Sequence, residues 1–93
     1  MMIIISGVYS ITCIATGRSY VGSSVNIKRR YREHKLDLRR NKHPSKLMQE
    51  DYDQYGWEGF ECKILNQSGL RLLAWEQHWM DKLECLSDGY NID

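Results

Sequence analysis

The sequence predicts an α+β fold, a small three-stranded antiparallel sheet flanked by helices in the chain order β-β-α-α-β-α. Two runs of β-type residues, 3–11 and 18–23, flank the turn signal Thr16-Gly17, which is typical of a hairpin. Three later segments repeat apolar residues at about 100° per residue, the helical period. Before the last of them, residues 60–65 alternate apolar and polar side chains, which indicates a strand with one buried face.

The hairpin sets a tyrosine beside a glycine in each strand. Tyr9 follows Gly7, and Tyr20 precedes Gly22. Glycine inside a strand usually marks a bulge or a place where another group approaches the backbone closely. Two interpretations follow: the tyrosines pack in an ordinary core, or their hydroxyls lie beside open backbone.

The three helices have recognisable start and stop signals. The first is predicted over about 27–40, with Ser24 or Asn26 as its N-terminal cap. The second, over about 45–56, starts after a proline and ends at a glycine suited to a C-terminal cap. The third is predicted over about 70–86. The chain between these elements contains no repeat, linker or low-complexity segment.

An arginine and a histidine, both common in functional sites, fall on the inner side of the first helix. Arg30 and His34, four residues apart, lie on or beside the stripe formed by Ile27, Tyr31 and Leu38. A partly buried arginine requires an anionic partner. That partner is either a structural carboxylate or a substrate phosphate.

A carboxylate occupies the centre of the apolar stripe on the third helix. Glu76 lies on the centre line, so its burial without a partner would cost several kcal/mol. It is therefore expected either to pair with a buried arginine such as Arg30 or to hold a metal ion. Asp51 interrupts the stripe of the second helix and is predicted to be an ordinary surface charge.

The net charge of +1 conceals a strong asymmetry. Residues 1–49 contain ten Lys and Arg against two Asp and Glu, whereas residues 50–93 contain three against ten. Such clustering suits a polyphosphate-binding face, although a solvated helix is the alternative. The nucleic-acid interpretation is favoured because only Glu33 and Asp37 offset the cluster. Its members are Lys28, Arg29, Arg30, Arg32, Lys35, Arg39, Arg40, Lys42 and Lys46.

Length and composition predict one domain over residues 1–93. The apolar run 1–5 is far too short to span a membrane, so no membrane partner is expected. Cys13, Cys62 and Cys85 are scattered and lack CxxC spacing, which argues against a zinc site or a disulfide framework. These features predict a cytoplasmic protein in a reducing compartment.

The motifs Gly7-Val8-Tyr9 and Tyr20-Val21-Gly22 resemble the two motifs that give the GIY-YIG endonucleases their name, with valine in place of isoleucine. The likeness extends along essentially the whole chain and is strongest to the catalytic domain of phage intron homing endonucleases. The further residues that resemble the family's site, in chain order, are Arg30, His34, His43, Glu76 and Asn91.

The resemblance implies a metal-dependent DNA endonuclease whose products carry 5′-phosphate and 3′-hydroxyl ends. Glu76 would hold a single Mg²⁺ or Mn²⁺, and Arg30 would neutralise charge in the transition state. Tyr9 would act as general base beside Tyr20, with His34 as a possible proton acceptor. His43 and Asn91 complete the implied site. The absence of a second buried carboxylate argues against a two-metal mechanism.

Double-stranded DNA is the expected partner, and the isolated domain is expected to be a monomer. The residues expected to contact the DNA backbone are Lys28, Arg29, Arg32, Arg39, Arg40, Lys42 and Lys46. Homing members of the family carry a separate DNA-binding region after the asparagine, whereas this chain stops at Asp93. It is either an excised catalytic domain, with an additional DNA-binding domain elsewhere in the protein, or a naturally minimal member. The alternatives are a non-catalytic nucleic-acid-binding module and the nuclease module of a nucleotide-excision repair protein.

Overall fold

The computed structural model describes residues 5–67, 72–83 and 90. Its elements follow the predicted order, with a single 3₁₀ turn at Trp57–Gly59 before the third strand. The strands are β1 (Gly7–Cys13), β2 (Ser19–Ser24) and β3 (Phe60–Gln67), and the helices are α1 (Ile27–Arg39), α2 (Lys46–Tyr55) and α3 (Leu72–Leu83). The predicted α+β fold is therefore confirmed.

The sheet has the strand order β2-β1-β3, and both neighbours run antiparallel to β1. Tyr9 lies opposite Gly22 on β2 and Ile64 on β3. The register with β3 shifts between Val8 and Tyr9, which is a bulge. Because β1 is central, both of its edges are hydrogen-bonded, and its residues are buried on both faces of the sheet.

The alternation along β1 separates two hydrophobic clusters. Tyr9, Ile11 and Cys13 point to the face covered by α1 and α2, and they pack with Ile27, Leu38, Met48, Phe60 and Tyr90. Val8 points to the opposite face, where it packs with Val21, Leu65, Trp79 and Met80. Residues two apart share a face of a strand, as the sequence predicts.

Side-chain caps fix the beginnings of the first two helices. The Asn26 side chain accepts a hydrogen bond from the Arg29 amide, 3.2 Å, so asparagine rather than Ser24 caps α1. The Ser45 hydroxyl accepts from the Met48 amide, 3.3 Å, and caps α2. β1 begins at residue 7 rather than 3, and β3 continues to residue 67. Residues 70, 71 and 84–86 of the predicted third helix lie outside the described residues.

None of the described helices has the length and apolar character needed to cross a membrane.

Candidate active site

A cleft of about 260 Å³ opens between α1, the start of α2, β2 and α3. It gathers most of the site residues predicted from the sequence. The residues that line it are Tyr20, Arg30, His34, Asp37, His43, Pro44, Ser45, Glu76, Met80 and Tyr90. Tyr9 is buried and reaches the cleft wall through its hydroxyl, which lies 2.8 Å from Nε2 of His34.

Glycine at position 22 allows the two hairpin tyrosines to meet the backbone of β2. A Cβ atom at Gly22 would lie 2.5 Å from the Tyr9 hydroxyl oxygen and 2.9 Å from Cε1 of Tyr20. The two tyrosine ring centroids are 6.3 Å apart. Both interpretations of the hairpin hold in part, because Tyr9 belongs to the core and its hydroxyl also lies against bare backbone.

Burial dominates the electrostatics of both phenols. It raises the pKa of Tyr9 well above its usual value, and the neighbouring Tyr20 adds to this, whereas Arg30 lowers it. Burial also raises the pKa of Tyr20, again with Arg30 acting in the opposite direction. Both tyrosines are therefore neutral at pH 7 unless further positive charge enters the cleft.

The two imidazoles form a stacked, hydrogen-bonded pair. Nδ1 of His34 lies 2.8 Å from Nε2 of His43, and their ring centroids are 5.1 Å apart. Nδ1 of His43 accepts a hydrogen bond of 3.0 Å from the Ser45 amide. Burial, Arg30 and His43 lower the pKa of His34 to about 3, and burial is also the main cause that lowers the pKa of His43. His34 is consequently neutral at pH 7.

Arg30 lines the cleft but takes its ionic partner from its own helix. Its Nη1 lies 2.9 Å from Oε1 of Glu33, an exposed carboxylate whose pKa this contact lowers. Its Nη2 lies 3.4 Å from Nε2 of His34. Within the described part of the chain, no ion pair joins Arg30 to Glu76. The expectation that these two residues might pair is therefore wrong.

Glu76 is half-exposed rather than buried, so that part of the sequence prediction is wrong. Trp79 and Met80, one turn further along α3, pack on the apolar face of the sheet. Glu76 instead meets the polar end of β2, where its Oε2 accepts a hydrogen bond of 2.5 Å from the Ser23 hydroxyl. The apolar stripe of α3 is thus continuous in the sequence, but the sheet packs against only part of it.

The donor set of the cleft fits one hard divalent cation. Glu76 is a carboxylate in the cleft wall without an ion-pair partner among the described residues, and Mg²⁺ accepts one carboxylate when water and phosphate oxygens complete its shell. The described residues contain no group of three His, Cys, Asp or Glu side chains arranged to hold a metal. Two carboxylates line the cleft: Asp37, which interacts electrostatically with His43, and Glu76, which is the candidate protein ligand.

Asp51 is buried, contrary to the surface position predicted for it, with only 5% of the residue exposed. Its Oδ2 accepts a hydrogen bond of 2.5 Å from the Tyr90 hydroxyl and lies 3.5 Å from Nη1 of Arg18. The Tyr90 amide donates to the Ser19 carbonyl, 2.9 Å. Asp51 is therefore a buried carboxylate, but it is bonded to protein groups and does not line the cleft.

The predicted DNA-contacting residues lie outside the cleft. All seven are exposed along α1 and the segment that joins it to α2: Lys28, Arg29, Arg32, Arg39, Arg40, Lys42 and Lys46. Arg32 and Arg39 border a separate shallow depression. Asn91 lies outside the described residues, although Tyr90, which directly precedes it in the chain, is buried against the core.

Three residues with a clear place around the site were not singled out from the sequence. Ser23 holds Glu76, and the Ser45 amide holds His43. The Tyr31 ring packs edge-on against Tyr9 with centroids 5.2 Å apart. Tyr31 lies on the apolar stripe of α1 and was detectable there. The Ser23 contact joins residues far apart in sequence and the Ser45 contact lies in a local turn, and periodicity reveals neither.

Comparison with known proteins was made against families, curated sequences and solved structures. Residues 5–91 match the GIY-YIG catalytic domain family. Intron-associated endonuclease 1 of Enterobacteria phage T4 is 31% identical over 90 residues, which cover 94% of this chain. The chain spans only 36% of that relative's length.

Two solved structures of the catalytic domain of intron endonuclease I-TevI are also similar. One, of a mutant, has a TM-score of 0.90 and 29% identity, covering 97% of this chain and 95% of that one. The other has a TM-score of 0.88 and 30% identity, covering 95% of this chain and 98% of that one. The likeness thus extends over nearly the whole chain.

Proposed function

The chain belongs to the GIY-YIG catalytic domain family, and from that premise we propose that it is a divalent-metal-dependent endonuclease acting on double-stranded DNA. It hydrolyses phosphodiester bonds and leaves 5′-phosphate and 3′-hydroxyl ends. The observation that carries the proposal is a cleft that brings together the Glu76 carboxylate, the Arg30 guanidinium and the Tyr20 phenol, with the Tyr9 phenol at its wall. Phosphodiester hydrolysis needs an activated water, charge neutralisation at phosphorus and a stabilised leaving oxygen, and these groups can supply them.

Glu76 holds the metal ion in this proposal. Its carboxylate lies in the cleft wall, and the Ser23 hydroxyl fixes one oxygen. Bound Mg²⁺ or Mn²⁺ would supply charge neutralisation at the scissile phosphate and at the departing 3′ oxygen. Of the other acids near the cleft, Asp51 is bonded to Tyr90 and Arg18, and Asp37 interacts electrostatically with His43, which supports a one-metal site at Glu76.

Arg30 binds the phosphate. Its guanidinium is partly exposed in the cleft, and its partner Glu33 lies on the exposed side of α1. Surface ion pairs of this kind contribute little energy, so the guanidinium can turn its fork toward phosphate oxygens at small cost. It then stabilises the charge that develops in the transition state.

Tyr9 and Tyr20 have different roles toward the attacking water. Tyr20 lines the cleft and orients the water, whereas Tyr9 takes its proton. Since burial raises the pKa of Tyr9, the phenolate needs the positive charge of Arg30 and of the bound cation. Replacing Tyr9 with Phe then reduces cleavage by about 10²-fold or more. Cleavage at the wild-type rate would remove Tyr9 from this role.

The exposed basic residues of α1 and the following segment hold the DNA backbone. Phosphate contacts of this type position the duplex without reading its sequence. Binding should therefore weaken steeply with salt, and the isolated domain should show little sequence preference. His43, which lines the cleft, completes the proposed site together with Asn91, which is included because of the family resemblance.

The biological setting follows from the relatives. Intron-associated endonuclease 1 is much longer than this chain. We propose that the domain serves homing-endonuclease-like cutting inside a phage-infected cell, together with a separate DNA-binding region. By itself the domain acts as a monomer with weak target selection.

A plasmid-nicking assay tests the proposal. The purified chain should nick supercoiled DNA with Mg²⁺ or Mn²⁺ and stop when a chelator is added. Glu76→Ala should still bind DNA, as judged by gel shift, without cutting it. If the wild-type chain binds DNA but never cuts with any divalent metal, the domain is a non-catalytic nucleic-acid-binding module.

A further inference from the structure

We infer that the Ser45 backbone amide fixes the tautomers of His43 and His34, so that His34 donates a hydrogen bond to the Tyr9 oxygen instead of receiving its proton. This inference deepens the proposed function and rests on it for the role of Tyr9. It makes Ser45 and His43 positioning residues for the phenol.

The series of hydrogen bonds begins at a backbone N–H group, whose role as donor is fixed. The Ser45 N–H cannot reverse its role, and it points at Nδ1 of His43 over 3.0 Å. That nitrogen must therefore be the acceptor. A neutral histidine carries a single ring proton, so His43 is protonated at Nε2.

The next two bonds follow in order. The protonated Nε2 of His43 lies 2.8 Å from Nδ1 of His34, which must accept. His34 then carries its proton on Nε2, and that nitrogen lies 2.8 Å from the Tyr9 hydroxyl oxygen. The Tyr9 oxygen accepts this hydrogen bond, and its own proton is left to point elsewhere.

Reversing the donor and acceptor roles in these hydrogen bonds conflicts with the same distances. If His34 accepted from Tyr9, its Nδ1 would donate to His43, and His43 would be protonated at Nδ1. Two N–H groups, of Ser45 and His43, would then face each other across 3.0 Å. Arg30 Nη2 also approaches Nε2 of His34, but its longer separation of 3.4 Å makes this a weaker constraint.

The arrangement suits a phenol that must become a phenolate. A donor already aimed at the oxygen stabilises the negative form and needs no movement when the proton leaves. The nearby guanidinium of Arg30 acts in the same direction. His34 is a poor proton acceptor here because its available nitrogen is already protonated.

Nitrogen-15 NMR of the imidazole rings tests the inference without any cleavage reaction. The chain has three histidines, and His78 is exposed on α3, so Gln variants at each position assign the signals. At pH 7, both His34 and His43 should be protonated only at Nε2. A His34 ring protonated at Nδ1, or at both nitrogens, would overturn the inference.

A variant pair tests the part played by His43. In His43→Ala, the His34 ring should lose its single tautomer and give averaged nitrogen shifts. Ser45→Ala keeps the backbone amide and removes only the helix cap, so His34 should retain the Nε2–H form. If His34 is unchanged in His43→Ala, His43 does not position it and the relay is overturned.

A final comparison separates donation from proton acceptance. Glutamine can present an N–H group where His34 has Nε2, whereas alanine cannot. His34→Gln should therefore cut within about tenfold of wild type, and His34→Ala about 10²-fold more slowly. Equal loss in both variants would contradict donation. If wild type never cuts, the proposed function fails while the NMR result still decides the tautomers.

Discussion

Two acidic side chains on different helices have opposite environments. Asp51 on α2 is buried and bonded to Tyr90 and Arg18. Glu76 on α3 is half-exposed in the cleft wall, where the Ser23 hydroxyl holds one oxygen. Burial with protein partners makes a carboxylate part of the fold, whereas an open position leaves it able to bind a cation. The region around Asp51 should therefore control stability, and the region around Glu76 should control reaction rate.

Apart from loss of the Glu76 carboxylate, the largest effect is expected at Arg30, in the cleft. Arg30→Ala should reduce plasmid nicking by about 10²- to 10³-fold, because a charged donor for the transition state is lost. Its exposed pair with Glu33 contributes little to stability, so the thermal midpoint should change by only a few degrees. Circular dichroism measures the midpoint, and Lys63→Ala, an exposed cation on β3 outside the cleft and the basic cluster, is the control. Unchanged nicking by Arg30→Ala would show that the cleft arginine is not part of the reaction.

Asp51 should show the converse behaviour. Asp51→Asn leaves Arg18 without its anion and weakens the bond to Tyr90, so it should reduce the free energy of unfolding by about 2–3 kcal/mol. The thermal midpoint should then fall by roughly 10–20 °C. Asp53→Asn, an exposed change on the same helix, should have a much smaller effect. A stable Asp51→Asn protein would mean that the buried network does not hold the fold.

These two acids also show how far the sequence predicts this molecule. Periodicity, caps and turn signals identify every described helix and strand, because those signals depend on neighbouring residues. The burial of Asp51 depends on Tyr90, which is 39 positions away. The exposure of Glu76 depends on where β2 ends. The apolar stripe of a helix contains neither fact. From the stripes, Glu76 was predicted to be buried and Asp51 to lie on the surface, whereas Asp51 is the more buried of the two.

The candidate active-site cluster was predictable for a different reason. Tyr9, Tyr20, Arg30, His34 and Glu76 were expected together because short motifs in the right order resemble a family. The hydrogen bonds that organise them were not expected. They join backbone and side-chain atoms across turns, as the Ser45 amide does with His43.

Acid should destabilise the histidine side of the cleft. The folded pKa of His34 is about 3, below its ordinary 6.5, so the unfolded chain binds a proton that the folded chain does not. The contribution of neutral His34 to the free energy of unfolding is therefore fully present above pH 6.5 and is lost as pH falls from 6.5 toward 3. The lowered pKa of His43 acts in the same sense.

Urea denaturation across pH 4–7 measures that dependence. His34→Gln should show a shallower loss of stability with acid than wild type, because one such group is removed. His78→Gln, which alters an exposed histidine, should follow the wild-type curve. Identical curves for wild type and His34→Gln would contradict the buried, neutral state of His34.

The smallest effect is expected at Ser23. Ser23→Ala removes one hydrogen bond to Glu76 but leaves the carboxylate in the cleft. Nicking at saturating Mg²⁺ should fall only about 3- to 10-fold, and the concentration of Mg²⁺ needed for half-maximal rate should rise. Ser24→Ala, at the neighbouring position, is the matched control. Loss of nicking as complete as that caused by removing the carboxylate would contradict an orienting role.

The division between the two acids is tested most directly by comparing Glu76→Gln with Asp51→Asn in one nicking assay, at a temperature where both variants are folded. The rate per folded molecule is measured with Mg²⁺ and with chelator. Glu76→Gln should be inactive and as stable as wild type, and Asp51→Asn should cut with Mg²⁺ within about tenfold of wild type. Metal-dependent cutting by Glu76→Gln, or its loss in folded Asp51→Asn alone, would contradict the assignment of the cation to Glu76.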